Sequence, residues 1–421
     1  MQRYDTYKDS GVKWLGEIPG HWETMKSKYL WKESFSVSEN GNEDLLSVSQ
    51  YDGVTPAKGD SRSESLKGYK IVSKNDLVIN IMLAWLGGLG VSDYDGLVSP
   101  AYCIYKLCND SNPKYLHYLY KTPLYLAEFA RHSSGVVPSR WRMYTDDFDQ
   151  VISLLPPKKE QDAIVDYLNE KMAKIDAVIA QQQKMIELLN ERKQIIINRA
   201  VTRGLNPDAK MKDSGVEWIG EVPEDWNTCA LKKQAKVILG KMLSNNPTNK
   251  YKYICAKDVH YGIVDTSDLK EMSFTQEERH LYEVKKGDML IVEGGAGAGG
   301  CAIFREEKKN IYIQNSIMIV RGTEKLHNDY VCFYMQSINQ KGYVEFICNK
   351  ATIPHFTKEK VGSVIIPLPP LMEQVKIVDY INTKTAPIEG VIQNCQQQVS
   401  LLQERKQIII NEVVTGKVKV V

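Results

Sequence analysis

The sequence predicts an α+β fold in which two β-rich domains are joined by two long antiparallel helices that pair like a coiled coil, in a pseudo-twofold circular arrangement. Two internal repeats predict it. A segment of fifteen residues occurs at 8–22 and again at 212–226. A second segment, at 155–198 and 368–411, aligns with its copy over 44 residues without a gap. Because internal repeats mark repeated architecture, the chain is interpreted as two copies of one unit.

Length and composition set the class of protein. The chain has 421 residues, of which 43% are hydrophobic and 25% charged, as in a soluble protein of two or three domains. We find no apolar run of membrane-spanning length and no signal-peptide core, and the eight cysteines form no Cys-x-x-Cys pair. These features predict a cytoplasmic protein with reduced thiols and no membrane association.

The distribution of charge limits where a polyanion could bind. The whole chain carries a net charge of +2, residues 23–154 carry −2 and residues 227–367 carry +5. Bulk charge therefore does not indicate nucleic acid, and any nucleic-acid-binding face must be a local patch.

The first repeat reads "KDSGVKWLGEIPGHW" and then "KDSGVEWIGEVPEDW". The second copy follows a long helix, whereas no helix precedes the first copy, so the C-terminal helix should lie beside 8–22 and the chain ends should be close. The tryptophans of both copies are expected to pack these joints; they are Trp14, Trp22, Trp218 and Trp226. The predicted domains are 1–154 (with the repeat 8–22), 155–204 (helical), 205–367 (with the repeat 212–226) and 368–421 (helical).

The second repeat has the pattern of a long helix. Pro156 and Pro157 suit a helix entrance, and Glu160 places a carboxylate in the first turn. Apolar residues then recur at helical spacing as a narrow seam, with Gln182 and Cys395 at equivalent positions. Gly204 and Gly416 are the expected C-terminal stops.

One proline interrupts the helical pattern of the second segment. Pro387 lies inside the pattern, where proline costs roughly 3 kcal/mol. The sequence therefore predicts a break near Thr383–Thr385 and, by symmetry, near Glu170–Met172. Each element would then be a short helix followed by one of about 30 residues, about 45 Å long.

The blocks between the helical segments have the pattern of strands and turns. Residues 45–54 weakly resemble 253–263, and 74–80 resemble 286–292. The two blocks are therefore predicted to share one fold and to differ in what they contact. A duplicated scaffold whose two copies differ in side chains suggests that both copies bind the same class of ligand and that each recognises a different feature of it.

A search for catalytic motifs finds no phosphate loop, no Asn-Pro-Pro-aromatic methyltransferase site and no metal-ligand spacing among the seven histidines. The segment "EGGAGAGG" (293–300) could cradle a phosphate after a strand. The following "CAIF" is typical of another strand rather than the helix that a dinucleotide site requires, so a loop between strands is favoured. The chain is therefore predicted not to be an enzyme.

Polar loops at equivalent places in the two blocks supply the candidate binding residues. Arginine beside an aromatic residue suits phosphate and base-edge contacts. The alternative is that Trp141 and Phe356 pack each block on its helix while the charges are solvated. The candidates are Ser49, Gln50, Lys58, Arg62, Arg140, Arg142, Lys257, His260, Lys350 and His355.

The whole layout resembles the specificity subunit of a type I restriction–modification system. The motifs that carry the resemblance are the two entrance repeats, "LPPKKEQDAIVDYL" and "LPPLMEQVKIVDYI", the two "ERKQIII" segments, and "AWLGGLGVSDYDGLVSPAYCIYKL" (84–107). The resemblance implies two target-recognition domains, each reading one half of a bipartite asymmetric sequence in double-stranded DNA. It implies that the helices dock two methyltransferase subunits, that restriction subunits then join, and that S-adenosylmethionine, ATP and magnesium belong to those partners, with no cofactor in this chain.

The resemblance also implies that the helices fix the separation of the half-sites, so that four residues inserted near Gln182 would alter the gap in the recognised sequence. The residues expected to serve docking and the helical spacer are Gln161, Tyr167, Arg192, Gln374, Tyr380 and Arg405. Two other classes stay open: a stand-alone DNA-binding regulator or anti-restriction decoy, and a nuclease hidden in the blocks.

Overall fold

The computed structural model describes residues 2–51, 53–57, 65–137, 140–243, 249–348 and 354–420. The chain forms two compact units, one made of Met1–Gln183 with Gln396–Val421 and the other of Lys184–Cys395. We call them unit 1 and unit 2. Among the helices of the described ranges, none is both long and apolar enough to span a bilayer.

The β-rich part of unit 1 is built on a four-stranded antiparallel sheet with the order β4-β11-β8-β9. Four antiparallel pairs surround it, namely β1 with β2, β3 with β12, β5 with β6 and β7 with β10. The strands are β1 (Tyr7–Asp9), β2 (Glu17–Pro19), β3 (Glu23–Lys26), β4 (Trp31–Ser34), β5 (Leu46–Ser49), β6 (Gly53–Pro56), β7 (Lys70–Val72), β8 (Leu77–Asn80), β9 (Leu89–Val91), β10 (Gly96–Val98), β11 (Tyr102–Leu107) and β12 (Ile152–Leu155).

The helices of this part are α1 (Ser27–Leu30), α2 (Pro113–Tyr120), α3 (Pro123–His132) and α4 (Thr145–Phe148). α2 and α3 begin in the same way, with a side-chain cap at Asn112 or Thr122 followed directly by proline, which needs no helical N–H partner. Their buried faces carry aromatic rings into the core of unit 1. The long helix α5 (Lys158–Arg203) follows β12.

Unit 2 repeats this plan with the four-stranded antiparallel sheet β16-β24-β21-β22. A three-stranded sheet lies beside it, in which β17 pairs antiparallel with β20 and parallel with β23. The strands are β13 (Met211–Asp213), β14 (Glu221–Pro223), β15 (Asn227–Ala230), β16 (Ala235–Leu239), β17 (Lys250–Ile254), β18 (Val259–His260), β19 (Ile263–Val264), β20 (Lys270–Ser273), β21 (Met289–Val292), β22 (Cys301–Ile303), β23 (Ile311–Ile313), β24 (Ile317–Gly322) and β25 (Ile365–Leu368). The helices are α6 (Gln276–Tyr282), α7 (Asn328–Gln340), α8 (Tyr343–Ile347), α9 (Lys358–Ser363) and the long α10 (Leu371–Val414).

The correspondence predicted between 74–80 and 286–292 is confirmed by the sheets. These segments contain β8 and β21, and each occupies the third position of its own four-stranded sheet. Each is followed by an eight-residue connection, 81–88 or 293–300, to the edge strand β9 or β22. The two β-rich parts therefore share one plan of strands.

The predicted break in the long helices is wrong, because both helices are continuous. α5 has 46 residues and α10 has 44, with Pro387 inside α10. Helices of this length are about 69 and 66 Å long, well above the predicted 45 Å. Ile381, Thr385 and Ile388 are buried on both sides of the proline, and burial of each branched aliphatic contributes roughly 1.5–3 kcal/mol, enough to offset the cost of one proline.

Antiparallel pairing of the two long helices is confirmed inside each unit. In unit 1, apolar residues near the start of α5 share a core with residues near the end of α10, and Asp176 pairs with Lys406 at 2.7 Å. In unit 2, the end of α5 shares a core with the start of α10, and Lys193 pairs with Glu389 at 2.5 Å. The two ion pairs are equivalent under the repeat, so the register of the helices is duplicated along with the sequence.

The predicted joint between the entrance repeat and the end of a long helix is also observed inside each unit. In unit 1, Lys419 N donates to Gln2 O at 2.9 Å and Tyr7 Oη donates to Gly416 O at 3.0 Å, so the chain ends meet. The buried Trp22 donates its indole N–H to Glu160 at 3.2 Å.

The same joint in unit 2 uses equivalent residues. The buried Trp226 donates its indole N–H to Glu373 at 3.1 Å, and Gly204 lies against its ring. The two outer tryptophans of the repeats also pack on rings of their own unit: Trp14 on Tyr125 at 5.1 Å and Trp218 on Tyr343 at 5.5 Å. Packing at the joints is therefore confirmed for Trp22 and Trp226, whereas Trp14 and Trp218 pack on helices α3 and α8 of their units.

Candidate nucleic-acid interface

In unit 1, two loops are held together by one lysine. Lys121, just after α2, donates from Nζ to the carbonyl oxygens of Gln50 and Gly87, at 2.8 Å each. Gln50 lies in the turn after β5, and Gly87 lies in the connection 81–88 between β8 and β9. Because an ammonium bound to two carbonyls fixes both backbones, the turn and the connection form one surface.

A third segment, the residues from Ser134 to Arg142 that the structure describes, completes this surface. Ser134 and Arg142 form an antiparallel bridge, and the next residue, Met143, donates its backbone N–H to Ile81 O at 3.0 Å. The rings of Trp85 and Trp141 pack edge to face at 5.2 Å. The connection 81–88, the turn at Gln50 and the Ser134–Arg142 segment are called the unit 1 loop cluster.

The loop cluster brings together four residues predicted from the sequence to bind. Ser49 and Gln50 are half-buried at its base, Arg140 is exposed, and Arg142 is half-buried and donates to Trp141 O at 2.9 Å. Lys58 and Arg62 lie outside the described residues. Trp141 packs on Trp85 of the connection 81–88 rather than on the long helix that the sequence suggested, and DNA contact by its neighbours stays a prediction.

His117 on α2 supports the same cluster from below. Its Nδ1 accepts the backbone N–H of Val91 at 3.1 Å, and its ring lies 3.2 Å from the Cβ position that Gly90 lacks. Burial, with Lys121 and Lys114 nearby, lowers the pKa of His117 to about 4. The imidazole is therefore neutral at physiological pH, which suits its role as a hydrogen-bond acceptor.

Unit 2 has an equivalent cluster around the connection 293–300 between β21 and β22. Ser316 joins two of its parts, since its carbonyl accepts from Glu293 N at 2.8 Å and its hydroxyl accepts from Ala256 N at 3.0 Å. Gly262, at the turn of the β18–β19 hairpin, donates to Cys301 O at 3.0 Å. These segments and residues 354–356 form the unit 2 loop cluster.

Three predicted residues of unit 2 lie on this cluster. Lys257 is exposed but faces two carboxylates, Asp258 at 3.6 Å and Asp268 at 3.5 Å. His260 is exposed on β18. His355 is exposed, bridges to Gly294 and lies 3.3 Å from a Glu293 carboxylate oxygen.

Lys350 lies outside the described residues, and the packing role expected for Phe356 is confirmed by its complete burial. The interpretation of 293–300 as a loop between strands is confirmed. β22 follows it directly, and Gly295 and Gly299 adopt the positive φ angles of 83° and 78° that glycine allows. The dinucleotide fingerprint would instead open a helix.

The residues predicted to serve docking divide into two kinds. Gln161 is buried, donates to Pro156 O at 2.8 Å and accepts from Asn112 N at 2.7 Å. Gln374 is its equivalent, donating to Pro369 O and Lys325 O and accepting from His327 N. Both amides link the start of a long helix to the body of its unit.

Tyr167 and Tyr380 lie nearer the surface, each beneath a lysine ammonium one turn further along its helix, Lys171 or Lys384. Arg192 and Arg405 are exposed. The docking prediction therefore depends on these four residues rather than on the two amides.

Exposed apolar residues surround the two arginines. In unit 2, Met185, Leu188 and Ile195 are about half exposed on α5, beside Arg192 in the helical repeat. In unit 1, Leu401 and Ile408 are equally exposed on α10, beside Arg405. These residues fall outside the seam buried against the other long helix, so each unit presents an apolar stripe with one arginine.

No group of three or more histidine, cysteine, aspartate or glutamate side chains lies close enough to hold a metal ion within the ranges described above.

Comparisons with known proteins agree with this architecture. The model of the type I restriction modification DNA specificity domain matches residues 223–396. The putative type I restriction enzyme MjaX specificity subunit of Methanocaldococcus jannaschii is 24% identical over 98% of this chain and 98% of its own length. The MjaVIII specificity subunit of the same organism is 24% identical over 65% of this chain and 63% of its own length.

Among solved structures, a chain from work on complex assembly and conformational transition of the type I R-M system is similar over 94% of this chain and 98% of its own length. Its TM-score is 0.68 at 16% identity, which shows a shared fold. The resemblance inferred from the repeats and motifs is confirmed by these matches.

Two features of the clusters were not predicted from the sequence. The connection 81–88 contributed only to the resemblance, and Lys121 and His117 carried no motif. The match of 74–80 with 286–292 placed the starts of 81–88 and 293–300 at equivalent positions. Their equal length became visible only in the structure, which shows where the next strands, β9 and β22, begin.

Proposed function

We propose that this chain is the DNA-binding specificity subunit of a type I restriction–modification complex. Each unit would read one half of a bipartite asymmetric target in double-stranded DNA through its loop cluster. The observation that carries the proposal is the duplicated cluster, built on the same strands in both units but with different side chains. Such a chain can recognise two different half-sites with one repeated scaffold, as a bipartite asymmetric target requires.

The chemistry of the complex would belong to its partners. Two methyltransferase subunits would bind S-adenosylmethionine, and restriction subunits would use ATP and magnesium. This chain would contribute binding and geometry without a catalytic group of its own.

The apolar stripes support docking of two copies of one partner. Exposed apolar residues at helical spacing are typical anchors for a partner helix. Because the stripe of α5 and the stripe of α10 are equivalent under the repeat, one kind of partner surface fits both. Changing Leu188 to Glu should lose one methyltransferase subunit, and changing Leu401 to Glu should lose the other, as measured by the mass of the complex in native mass spectrometry.

Methylation mapping tests the proposal directly. Expression with the cognate methyltransferase subunit should give one bipartite methylated motif in a host genome. Exchange of 227–367 for the block of a relative should change one half-site only. Methylation without a bipartite motif would refute the proposal.

The role of the long helices as a spacer has its own test. A heptad inserted after Lys184 in α5 and after the equivalent Gln397 in α10 preserves the 3.5-residue seam and adds about 10 Å to each helix. The gap between half-sites should lengthen by about three base pairs at 3.4 Å each, with both half-sites unchanged. An unchanged gap would contradict the spacer role.

The alternative functions predict different behaviour. A stand-alone DNA-binding regulator or anti-restriction decoy would not co-purify with a methyltransferase subunit in a fixed ratio. A nuclease would cut DNA as the lone chain with magnesium.

A further inference from the structure

The connection 81–88 in unit 1 has an unusual surface. Met82, Leu83 and Leu86 are 37%, 37% and 40% exposed, and the sequence from Ile81 to Ser92 contains no charged residue. Connections between strands are normally polar at the surface, so an apolar one marks a contact site.

Internal hydrogen bonds keep this connection in one conformation. Leu83 N donates to Asn80 O at 2.9 Å, Gly88 N donates to Leu83 O at 2.8 Å, and Met82 N donates to the Asn80 side chain at 3.1 Å. Lys121 holds Gly87 from the opposite side. The apolar side chains are therefore presented by a fixed backbone, as precise recognition requires.

Two arginines flank the tryptophan that packs on this connection. Trp85 in the connection packs on Trp141, whose neighbours in the chain are Arg140 and Arg142. An apolar tip beside arginines is complementary to the DNA major groove, where phosphates flank the one apolar group on a base edge, the C5-methyl of thymine.

The equivalent connection in unit 2 lacks these side chains. It has the same length, but seven of its eight residues are glycine or alanine, and the eighth, Glu293, faces His355. The strands on both sides are equivalent in the two units. The two connections therefore differ in their side chains and not in their length or their flanking strands.

We propose that Met82, Leu83 and Leu86 read the C5-methyl group of a thymine in the half-site bound by unit 1. Arg140 would bind a flanking phosphate. This inference rests on the proposed function and adds a chemical requirement to it, namely that the first half-site contains an A·T pair whose methyl group is recognised.

Thymine-to-uracil substitution isolates the methyl group, because uracil keeps every hydrogen-bonding group of the base edge. The affinity of the complex of this chain with its methyltransferase subunits would be measured for target duplexes in which single thymines are replaced by uracil. Replacement of one thymine in the first half-site should weaken binding by the wild type about threefold to fivefold, as expected for a group the size of one methylene.

Variants M82Q and L86Q test whether this connection is the reader. At least one of them should bind the thymine and uracil duplexes equally. The matched control is A296Q, at an exposed position of the unit 2 connection, which should keep the wild-type response to uracil in the first half-site. Unchanged affinity of M82Q and L86Q for the second half-site, measured by competition, would show that these two variants are folded.

Three outcomes would overturn the inference: a first half-site without an A·T pair, a wild type insensitive to uracil there, or variants that keep the full wild-type sensitivity. In each of these cases the bipartite motif is still methylated, so the proposed function survives. Absence of a bipartite motif would instead refute the proposed function itself.

Discussion

The two joints contain equivalent glutamates, Glu160 and Glu373, whose substitution by glutamine is expected to change stability in opposite directions. Glu160 in unit 1 accepts hydrogen bonds from the Tyr4 hydroxyl and the Trp22 indole, and it lies 2.7 Å from His21 Nε2. Glu373 in unit 2 accepts one hydrogen bond, from Trp226. Substitution of each glutamate by glutamine keeps the shape and removes the charge.

E160Q should destabilise unit 1. Tyr4 and Trp22 both donate to Oε1, and His21 faces Oε2, so the amide keeps its carbonyl oxygen on the two donors and places its NH2 group beside His21. The acceptor loses its charge, which weakens both hydrogen bonds at a total cost of about 1–3 kcal/mol. Each unit contains about 210 residues, and for domains of 150–250 residues 1 kcal/mol shifts Tm by about 2–4 °C. The expected loss is therefore about 2–12 °C in the transition of unit 1, measured by differential scanning calorimetry at pH 7.

E373Q should stabilise unit 2 slightly. Burial raises the pKa of Glu373, and the nearby Asp225 carboxylate raises it further. A carboxyl group with a raised folded-state pKa contributes stability below its ordinary pKa of about 4.5, and that contribution is lost as the pH rises through the folded-state value. Glutamine avoids this loss, so the gain should be largest at pH 7, below about 1 kcal/mol because solvent screens the site, and should shrink toward pH 4.5.

The opposite signs expected for the stability changes of E160Q and E373Q separate the electrostatic effect from the hydrogen bond to tryptophan. If both variants lost the same stability, the glutamates would act only through the hydrogen bond to their tryptophan, and the electrostatic difference between the joints would have no effect. A gain for E160Q would refute the assigned hydrogen-bond network.

Three further predictions follow from single residues. P387A should raise the unfolding free energy of the chain by about 1–3 kcal/mol in urea titrations, because the helix gains a hydrogen bond where it is already continuous; a loss would show that the proline fits a local distortion. K121M should weaken binding to the first half-site about tenfold and leave the second unchanged in competition assays, because Gln50 and Gly87 lose their common donor; equal effects on both half-sites would exclude this positioning role. His117 has a pKa lowered from 6.5 to about 4, so it should destabilise unit 1 as the pH falls through that window; the pH dependence of Tm should be flatter in H117N.

The scaffold could be predicted from the sequence because its two copies constrain each other. The joints, the strand correspondence and the antiparallel helices all follow from matching one copy to the other. Gln182 and Cys395 were placed at equivalent seam positions by the repeat alone, and both lie in the less exposed row of their helices.

The helix break could not be judged from the sequence, because local propensity was the only quantity available. A proline penalty of roughly 3 kcal/mol is large for an isolated helix and small beside the burial of a two-helix seam. The apolar residues on both sides of Pro387 were visible in the sequence, but the depth of their burial depends on the partner helix. Tertiary packing decided the outcome.

The binding surface was harder to predict than the scaffold for a related reason. Lys257 was predicted to bind because it is a charged residue in a polar loop, yet it pairs with two carboxylates. Gln161 was predicted to serve docking on α5, yet its amide is held by internal hydrogen bonds. An apolar connection such as 81–88 is easily taken for core sequence, because exposure cannot be read from residue type.

The connections 81–88 and 293–300 have equal lengths but different side chains. A fold that keeps this backbone constant and changes only the side chains can recognise a new half-site without altering its joints or its helices. Variation in specificity should therefore be concentrated in the two loop clusters, and exchange of 81–88 alone should alter the first half-site while leaving the gap and the second half-site as they are.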